Sequence, residues 1–223
     1  MHTLDLGQER SLVVIPALTD NYIYLLKAPK GGVLVDPGET VALPKEALLA
    51  VLLTHRHSDH VNGAQSYKLP IIGPEEVPFI TEKAKQKFTL GDFVFETIHT
   101  PGHTLGHNCY YLPKEKLLFA GDTLFGAGCG KLFEGSAETL YSSLQKLKQL
   151  PDETRICSGH EYTEKNLRFA QTLFPENCDI TKRLKNLTLP ELPTLETEKR
   201  TNPFMLARNA EEFAQFRKLR DQL

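Results

Sequence analysis

The chain has 223 residues, of which 40% are hydrophobic and 24% are charged, and its formal net charge is −2 at pH 7. These proportions are near the averages of soluble globular proteins, so they exclude a disordered or low-complexity chain. Lys and Arg are spread along the chain, which argues against a nucleic-acid partner. There is no basic segment followed by a long apolar run, so we expect a cytoplasmic protein that makes no membrane contact. The four cysteines form no CxxC pair, which predicts free thiols.

Short strands at close intervals dominate the first half of the chain. The run 48–53 is apolar throughout and breaks into Thr54-His55, which predicts a buried strand that delivers polar residues at its C-terminal end. Aromatic and aliphatic runs bounded by Pro and Gly predict further strands in a second sheet. In all, we predict strands at residues 11–15, 21–26, 32–35, 48–53, 93–99, 108–112, 116–120 and 155–158.

Helical signals belong to the second half. Ser136 is suited to cap a helix to about residue 149, with its leucines on one face, and Thr163 is suited to cap another to residue 174. Prolines punctuate the polar stretch that follows, and the pattern of residues 209–223 predicts a charged amphipathic helix. Strands covered by helices predict an α+β layered sandwich. We therefore expect a catalytic domain at residues 1–163 and a small, mainly helical appendage at residues 164–223.

The seven residues Thr54-His55-Arg56-His57-Ser58-Asp59-His60 hold three imidazoles and one carboxylate directly after a strand. A lone surface histidine usually binds nothing, but this density is typical of a metal site. On a loop that opens into a helix, His55 and His57 turn one way while Asp59 and His60 turn the other. The heptad therefore predicts two adjacent metal ions.

Three later motifs offer further ligands at abrupt turns of the chain. His103, in Pro101-Gly102-His103, is suited to be a third ligand of one metal, and His160 completes the second site. Asp122 ends a strand with a carboxylate, so we expect it to bridge the two metals. Without the histidine motifs, Asp122 would be interpreted as part of an Asx turn. His99 and His107 are expected to support the ligands or the fold.

In this order, the heptad, Pro-Gly-His, Gly-Asp-Thr and Gly-His resemble the metallo-β-lactamase superfamily over about the first three quarters of the chain. The resemblance implies an αββα sandwich with two divalent metal ions. We expect zinc, with iron or manganese as the alternatives, because histidine and carboxylate accept all three. The resemblance also implies the grouping of ligands that the motifs predict. One metal is bound by His55, His57 and His103, the other by Asp59, His60 and His160, and Asp122 bridges the two.

A narrower resemblance is carried by the segments 121–125, 128–135, 159–163 and 166–169, which are similar to the glyoxalase II family, the hydroxyacylglutathione hydrolases. The segment 198–204 is similar to the C-terminal signature of its bacterial members. The resemblance implies hydrolysis of S-D-lactoylglutathione to D-lactate and glutathione, the second step of methylglyoxal detoxification. Lys131 and Tyr162 would then bind glutathione, with Arg200 as a further anchor.

Two features depart from that family. The segment between Glu39 and Leu53 is several residues shorter than usual, so we expect the helix before the metal loop to be short or absent. Phe133 occupies a substrate-binding position where the family often has a tyrosine, which puts glutathione affinity in question. We expect a monomer whose partner is a small-molecule glutathione thioester.

The metal ligands and a thioester substrate suit each other chemically. Two cations that share a water lower its pKa from about 15.7 towards about 7, and Asp59 is expected to orient the resulting hydroxide. A thiolate with a thiol pKa near about 8.5 leaves without a general acid, whereas an amide would need its departing nitrogen protonated. The sequence therefore favours hydrolysis of a thioester.

Other functions use the same ligand pattern. The main alternatives are an iron-dependent glutathione persulfide dioxygenase and another thioester hydrolase of the same fold. A nuclease is disfavoured by the near-neutral charge, and a secreted β-lactamase by the absence of a signal peptide. A non-catalytic metal-binding protein is disfavoured because structural zinc sites usually close with four protein ligands. Metal content and oxygen consumption distinguish the hydrolase from the dioxygenase.

Overall fold

The computed structural model describes residues 1–43 and 47–223. Two β-sheets face each other, and helical segments cover the outer face of each sheet. This arrangement confirms the α+β class and the αββα sandwich. None of the helices in the described parts of the chain has both the length and the apolar character needed to cross a membrane.

The first sheet runs in chain order and is antiparallel from β1 to β4 and parallel from β4 to β7. A parallel pair requires a crossover, so the chain enters β5 and β6 from the same end as β4. The strands are β1 (His2–Gly7), β2 (Arg10–Ala17), β3 (Asn21–Lys27), β4 (Gly32–Val35), β5 (Leu48–Leu52), β6 (Ile71–Gly73) and β7 (Glu82–Lys83).

The second sheet has the order β14-β11-β10-β9-β8 and is antiparallel except for the parallel pair β11 and β14. A separate hairpin follows β11 and lies near the end of β14. The strands are β8 (Lys87–Leu90), β9 (Phe93–His99), β10 (Asn108–Leu112), β11 (Leu117–Gly121) and β14 (Arg155–Ser158), and the hairpin is β12 (Leu124–Phe125) and β13 (Gly128–Cys129).

Side chains alternate in direction along the strands and form three apolar layers, one between the sheets and one on the outer face of each sheet. In β2, Leu12 and Val14 point between the sheets, where they meet Phe119 and Tyr110, while Val13 and Ile15 point outward. Successive side chains of a strand point to opposite faces, so a strand covered on both faces is apolar throughout. The outer layers lie under the helices.

The helices are short and most are capped by side chains. Ser136, Asn177, Thr194 and Asn209 each accept a bond from a backbone N–H in the first turn of the following helix. The helices are α1 (Ser58–Val61), α2 (Ala137–Leu147), α3 (Thr163–Leu173), α4 (Cys178–Lys185), α5 (Leu195–Thr201), α6 (Pro203–Leu206) and α7 (Ala210–Arg220), with a 3-10 turn at Ala64–Tyr67.

The expected shortening before the metal loop falls partly on residues 44–46, which lie outside the described residues. The described residues on either side, 36–43 and 47, contain no helix.

Candidate metal centre

The expected ligands meet at one edge of the sandwich. β4 and β5 are parallel neighbours in one sheet, and β11 and β14 are parallel neighbours in the other. The carboxyl ends of parallel strands lie at the same edge, so the loops after these strands converge. Gly38 permits this approach, because a Cβ there would lie 1.8 Å from the Asp59 carbonyl oxygen.

The first group of donors is His55, His57 and His103, whose ring nitrogens lie within 4.8 Å of one another. His103 Nε2 is 2.9 Å from His57 Nδ1. His55 and His103 are buried, and His57 is half-buried beside the cavity described below. Three imidazole nitrogens that face one another in this way form a suitable set for one cation.

The second group is Asp59, His60 and His160, again with donor atoms within 4.8 Å of one another. His160 Nε2 is 3.3 Å from Asp59 Oδ2 and 3.4 Å from His60 Nε2. Asp59 and His60 lie in the short helix α1, and His160 follows β14. This group is therefore assembled from both sheets.

Asp122 lies between the two groups. Its Oδ2 is 3.3 Å from His103 Nε2 and 3.4 Å from His160 Nε2, and its Oδ1 is 3.2 Å from His60 Nε2. One carboxylate therefore faces ring nitrogens of both groups. This position suits a ligand shared by two cations.

Two unpaired buried atoms and the pKa shifts of His55, His57 and Asp122 fit metal ions, although contacts with Asp122 outweigh burial and raise the pKa of His60 and His160. Nε2 of His55 and Oδ1 of Asp122 are buried without a hydrogen-bond partner among the described residues. Burial lowers the pKa of His55 well below its usual value and also lowers that of His57, which favours the neutral, ligating imidazole. Burial raises the pKa of Asp122, but the histidine charges outweigh it and hold that pKa well below its usual range. The donor set is thus suited to divalent cations.

Carboxylates and a carbonyl orient several of these histidines. His60 Nδ1 donates to Asp36 Oδ2 at 3.0 Å, and His160 Nδ1 donates to Asp20 Oδ1 at 2.8 Å. Asp36 also accepts bonds from the backbone N–H and hydroxyl of Thr54. His103 Nδ1 donates to the Lys131 carbonyl at 2.8 Å. Such partners fix each ring with Nε2 towards the centre.

The sequence analysis did not identify Asp20 and Asp36 as part of the site. Asp36 follows β4 directly, and an acidic residue at the end of a strand is a signal that could have been used. Asp20 lies in the turn between β2 and β3, and the pairing of Asn21 with His160 brings it to the centre. His107, expected to support the site, is buried, stacks on His55 and accepts from the Asp122 N–H through Nε2 at 3.1 Å.

A cavity of about 650 Å³ opens beside the two groups. Lys131, Phe133 and Tyr162 line it, as the sequence analysis expected of substrate-binding residues. The Phe133 ring contacts the rings of His57 and His103 edge-on and is 61% exposed. Tyr162 stacks on His160 with ring centroids 5.0 Å apart.

The structure does not bring Arg200 to this cavity. Its guanidinium pairs with Asp179 at 2.7 Å and lines a separate surface depression with residues of α4 and α5. Helix α7 instead supplies Arg217 and Arg220 to the cavity wall. Sequence reasoning recognised α7 as a charged helix but gave no signal of which face meets the site.

Arg217 and Arg220 differ in their surroundings. Arg217 is buried, donates to the Cys129 carbonyl at 3.0 Å and pairs with Asp221 at 2.8 Å. Arg220 is half-buried, and its Nε donates to Asn166 Oδ1 at 3.2 Å. Arg220 is therefore the more accessible cation on this wall.

Comparison with known proteins covers both halves of the chain. The sequence profile described as the metallo-beta-lactamase superfamily matches residues 18–69 and 64–160, and the one described as the hydroxyacylglutathione hydrolase C-terminus matches residues 161–223. A hydroxyacylglutathione hydrolase of Hamiltonella defensa subsp. Acyrthosiphon pisum (strain 5AT) is 43% identical over 220 residues, covering 87% of this chain and 86% of its own. One of Yersinia pestis (strain Pestoides F) is 42% identical over 218 residues, with coverage of 87% and 86%.

Among solved structures, ETHE1 from Myxococcus xanthus superposes with a TM-score of 0.71 at 24% sequence identity. The match covers 93% of this chain and 89% of that protein. At this level of identity the likeness concerns the fold alone.

Proposed function

Because this chain belongs to the hydroxyacylglutathione hydrolases of the metallo-beta-lactamase superfamily, we propose that it hydrolyses S-D-lactoylglutathione to D-lactate and glutathione. One observation carries the proposal: Asp122 lies between two groups of His and Asp side chains, beside a cavity whose walls carry Lys131 and Arg220. The reaction adds the oxygen of one water to the acyl carbon and breaks the carbon–sulfur bond. The sulfur leaves as the thiolate of glutathione.

Seven side chains are proposed to hold two divalent cations. His55, His57 and His103 bind one, Asp59, His60 and His160 bind the other, and Asp122 binds both. We propose zinc, with iron or manganese as alternatives that the same donors accept. When bound, the two cations would lower the pKa of a shared water towards about 7 and polarise the thioester carbonyl.

Asp59 is proposed to orient the attacking water. Its Oδ2 accepts a bond from Asn21 Nδ2 at 3.1 Å, so the carboxylate has a fixed orientation. The contact with His160 holds the pKa of Asp59 well below its usual range. The carboxylate therefore stays ionised at neutral pH and accepts a hydrogen bond from the water.

Glutathione carries two carboxylates, which require cationic or hydrogen-bonding partners. Lys131 and Arg220 line the same cavity from different parts of the chain, and the Tyr162 ring stacks on His160 while its hydroxyl donates to Asp20 Oδ1 at 3.3 Å. We propose that Lys131 and Arg220 bind the carboxylates and that Arg217 supports them by holding the Cys129 carbonyl. Phe133 offers an apolar face, without the hydroxyl that a tyrosine would provide.

This division of roles supports the proposed domain organisation. Residues 1–163 provide the metal ligands, Lys131, Phe133 and Tyr162, and residues 164–223 provide the arginines of α7. We also propose that the chain works as a monomer. We also propose a reducing, cytoplasmic location, because all four cysteines are free.

The test is to mix the metal-loaded protein with S-D-lactoylglutathione and follow the loss of thioester absorbance, the formation of D-lactate and the oxygen concentration. We expect hydrolysis without oxygen uptake. Oxygen uptake with glutathione persulfide, together with no thioester loss, would replace this proposal with a dioxygenase. Turnover of other acyl thioesters alone would keep a thioesterase but reject this substrate.

A further inference from the structure

The hairpin turn Phe125-Gly126-Ala127-Gly128 is held by side chains from the C-terminal helices. Asn202 Nδ2 donates to the Gly128 carbonyl at 2.9 Å and to the Phe125 carbonyl at 3.4 Å. Asn166 Nδ2 donates to the Gly126 carbonyl at 3.0 Å, and the Ala127 N–H donates to Glu198 Oε2 at 2.9 Å. Each of the four residues of the turn thus has a backbone group bonded to a side chain more than thirty positions away.

Glu198 and Asn202 are both fully buried. A carboxylate without water needs several donors to offset its lost hydration. Glu198 has three, because besides Ala127 it accepts from Asn202 Nδ2 at 2.8 Å and from Arg183 at 2.6 Å. Burying these polar groups has a low free-energy cost only when all of their hydrogen bonds form together. The network therefore specifies one position of the turn.

Side chains of helix α3 fill the space beside the two glycines of the turn. A Cβ on Gly126 would lie 2.3 Å from Thr163 Oγ1, and one on Gly128 would lie 2.2 Å from Asn166 Nδ2. Ala127 has a φ of 52°, in the left-handed region that side chains rarely adopt. Helix α3 therefore packs directly against the backbone of the turn.

The same turn leads into the residues that line the cavity. The Phe125 ring contacts the rings of His160 and Tyr162, with centroids 5.8 and 5.5 Å away. The chain then runs through Cys129 and Gly130 to Lys131, whose carbonyl accepts the bond from His103. A shift of the turn would therefore move Phe125 and Lys131 together.

We propose that Glu198 and Asn202 are positioning residues for substrate binding. They fix the hairpin turn, and through it they hold Lys131 and Phe125 at the wall of the cavity. This inference rests on the proposed function, because it takes the cavity to bind a glutathione thioester. It also gives a physical role to the segment 198–204, whose pattern the sequence analysis singled out.

The test compares two asparagines that have matching local roles. Asn202 and Asn177 each cap a helix through Oδ1 and donate through Nδ2 to a backbone carbonyl, but Asn177 donates to Arg200, away from the cavity. Serine keeps a capping oxygen and removes the amide donor. We expect Asn202→Ser to raise KM for S-D-lactoylglutathione about tenfold, because small misplacements of binding groups are costly. Asn177→Ser should leave KM within about twofold.

Further measurements separate positioning from a general loss of structure. Both variants are compared in thermal unfolding and metal content, and we expect Asn202→Ser to keep its metal. Glu198→Gln is a second variant, for use if Asn202→Ser fails to fold. The amide nitrogen of the glutamine would face at least one of the three groups that donate to Glu198, namely Ala127 N–H, Asn202 and Arg183. We therefore expect Glu198→Gln to raise KM as well. Equal KM values for Asn202→Ser and the wild type, with lower thermal stability, would overturn the inference.

A binding measurement distinguishes this inference from the proposed function. Calorimetric titration with S-hexylglutathione needs no turnover. We expect the wild type and Asn177→Ser to bind and Asn202→Ser to bind about tenfold more weakly. Binding of equal strength in all three would overturn the inference alone. If the wild type neither bound this probe nor hydrolysed the thioester, the proposed function would fail, and the inference with it.

Discussion

The substitution Arg220→Ala tests whether α7 belongs to the substrate site. Arg220 is half-buried on the cavity wall, and its Nε already donates to Asn166, which leaves the terminal nitrogens for a ligand. A hydrogen bond to a charged group contributes about 1.5–3 kcal/mol. Because Arg220 is partly solvated, we take the lower end, which corresponds to about a tenfold rise in KM.

The assay is thioester hydrolysis over a range of substrate concentrations at low and high salt. We expect kcat within about twofold of the wild type, because Arg220 binds the substrate away from the reacting carbonyl. The difference in KM should shrink at high salt, since the interaction is between charges. Lys218→Ala is the matched control, because Lys218 is an exposed cation on the same helix.

Two results would contradict this reasoning. A fall in kcat with unchanged KM would mean that Arg220 acts on the chemistry or on the fold. An equal rise in KM for Lys218→Ala would mean that the net charge of the helix matters and that no specific contact is made.

Three further predictions concern the metal centre and the thiols. Asp122→Ala should lower turnover more than about 100-fold and lower the metal content measured by mass spectrometry, because Asp122 faces ring nitrogens of both groups; full activity would reject the bridge. Adding zinc at about 100 times its Kd to chelator-treated protein should raise Tm by roughly 5–10 °C, because binding adds about 2.7 kcal/mol to the free energy of unfolding. An unchanged Tm in calorimetry would count against the proposed ligands. A thiol reagent at pH 8 should label the exposed Cys178 rapidly and the other three cysteines only after denaturation. Burial raises the pKa of Cys109 to about 12 and of Cys129 to about 11, so these thiols stay protonated. Rapid labelling of more than one thiol in the native protein would contradict the packing.

Several strands could be predicted from the sequence with their bounds. The predicted bounds 32–35, 93–99, 108–112 and 155–158 agree with β4, β9, β10 and β14. These strands have apolar runs bounded by Gly, Pro or charged residues, and burial enforces that pattern. The edge strand β1 was not predicted, because its half-exposed residues pair only with β2 and carry little apolar signal.

The helices after residue 174 show a different limit. The expected mainly helical appendage is confirmed, but the sequence analysis placed no helix in the polar, proline-punctuated stretch where α4, α5 and α6 lie. Each is a short helix that begins directly after Asn177, Thr194 or Asn202, whose side chain caps it. A search for capping residues would have found them, whereas periodicity over four to eight residues does not.

The candidate site divides in the same way. The metal ligands lie in compact motifs whose residue types imply coordination, and the structure brings all seven together, although their role as ligands stays a prediction. The residue types of the substrate wall imply no such chemistry by themselves, so Lys131 and Tyr162 were expected only from the family resemblance. Arg220 and Lys131 are ordinary cations in the sequence, and only the packing of α7 on the rest of the chain makes them neighbours in one cavity.

This division has a consequence for how specificity arises in the fold. The metal groups are assembled by loops at the ends of parallel strands within residues 54–160, and those loops need no residue of α7. The cavity wall depends on contacts between the hairpin turn and helices more than thirty residues later, through Asn166, Glu198 and Asn202. A different helical segment on the same sandwich could therefore keep the metal chemistry and present other side chains to the substrate. In this chain, the contacts that hold the hairpin turn should consequently affect KM more than metal content.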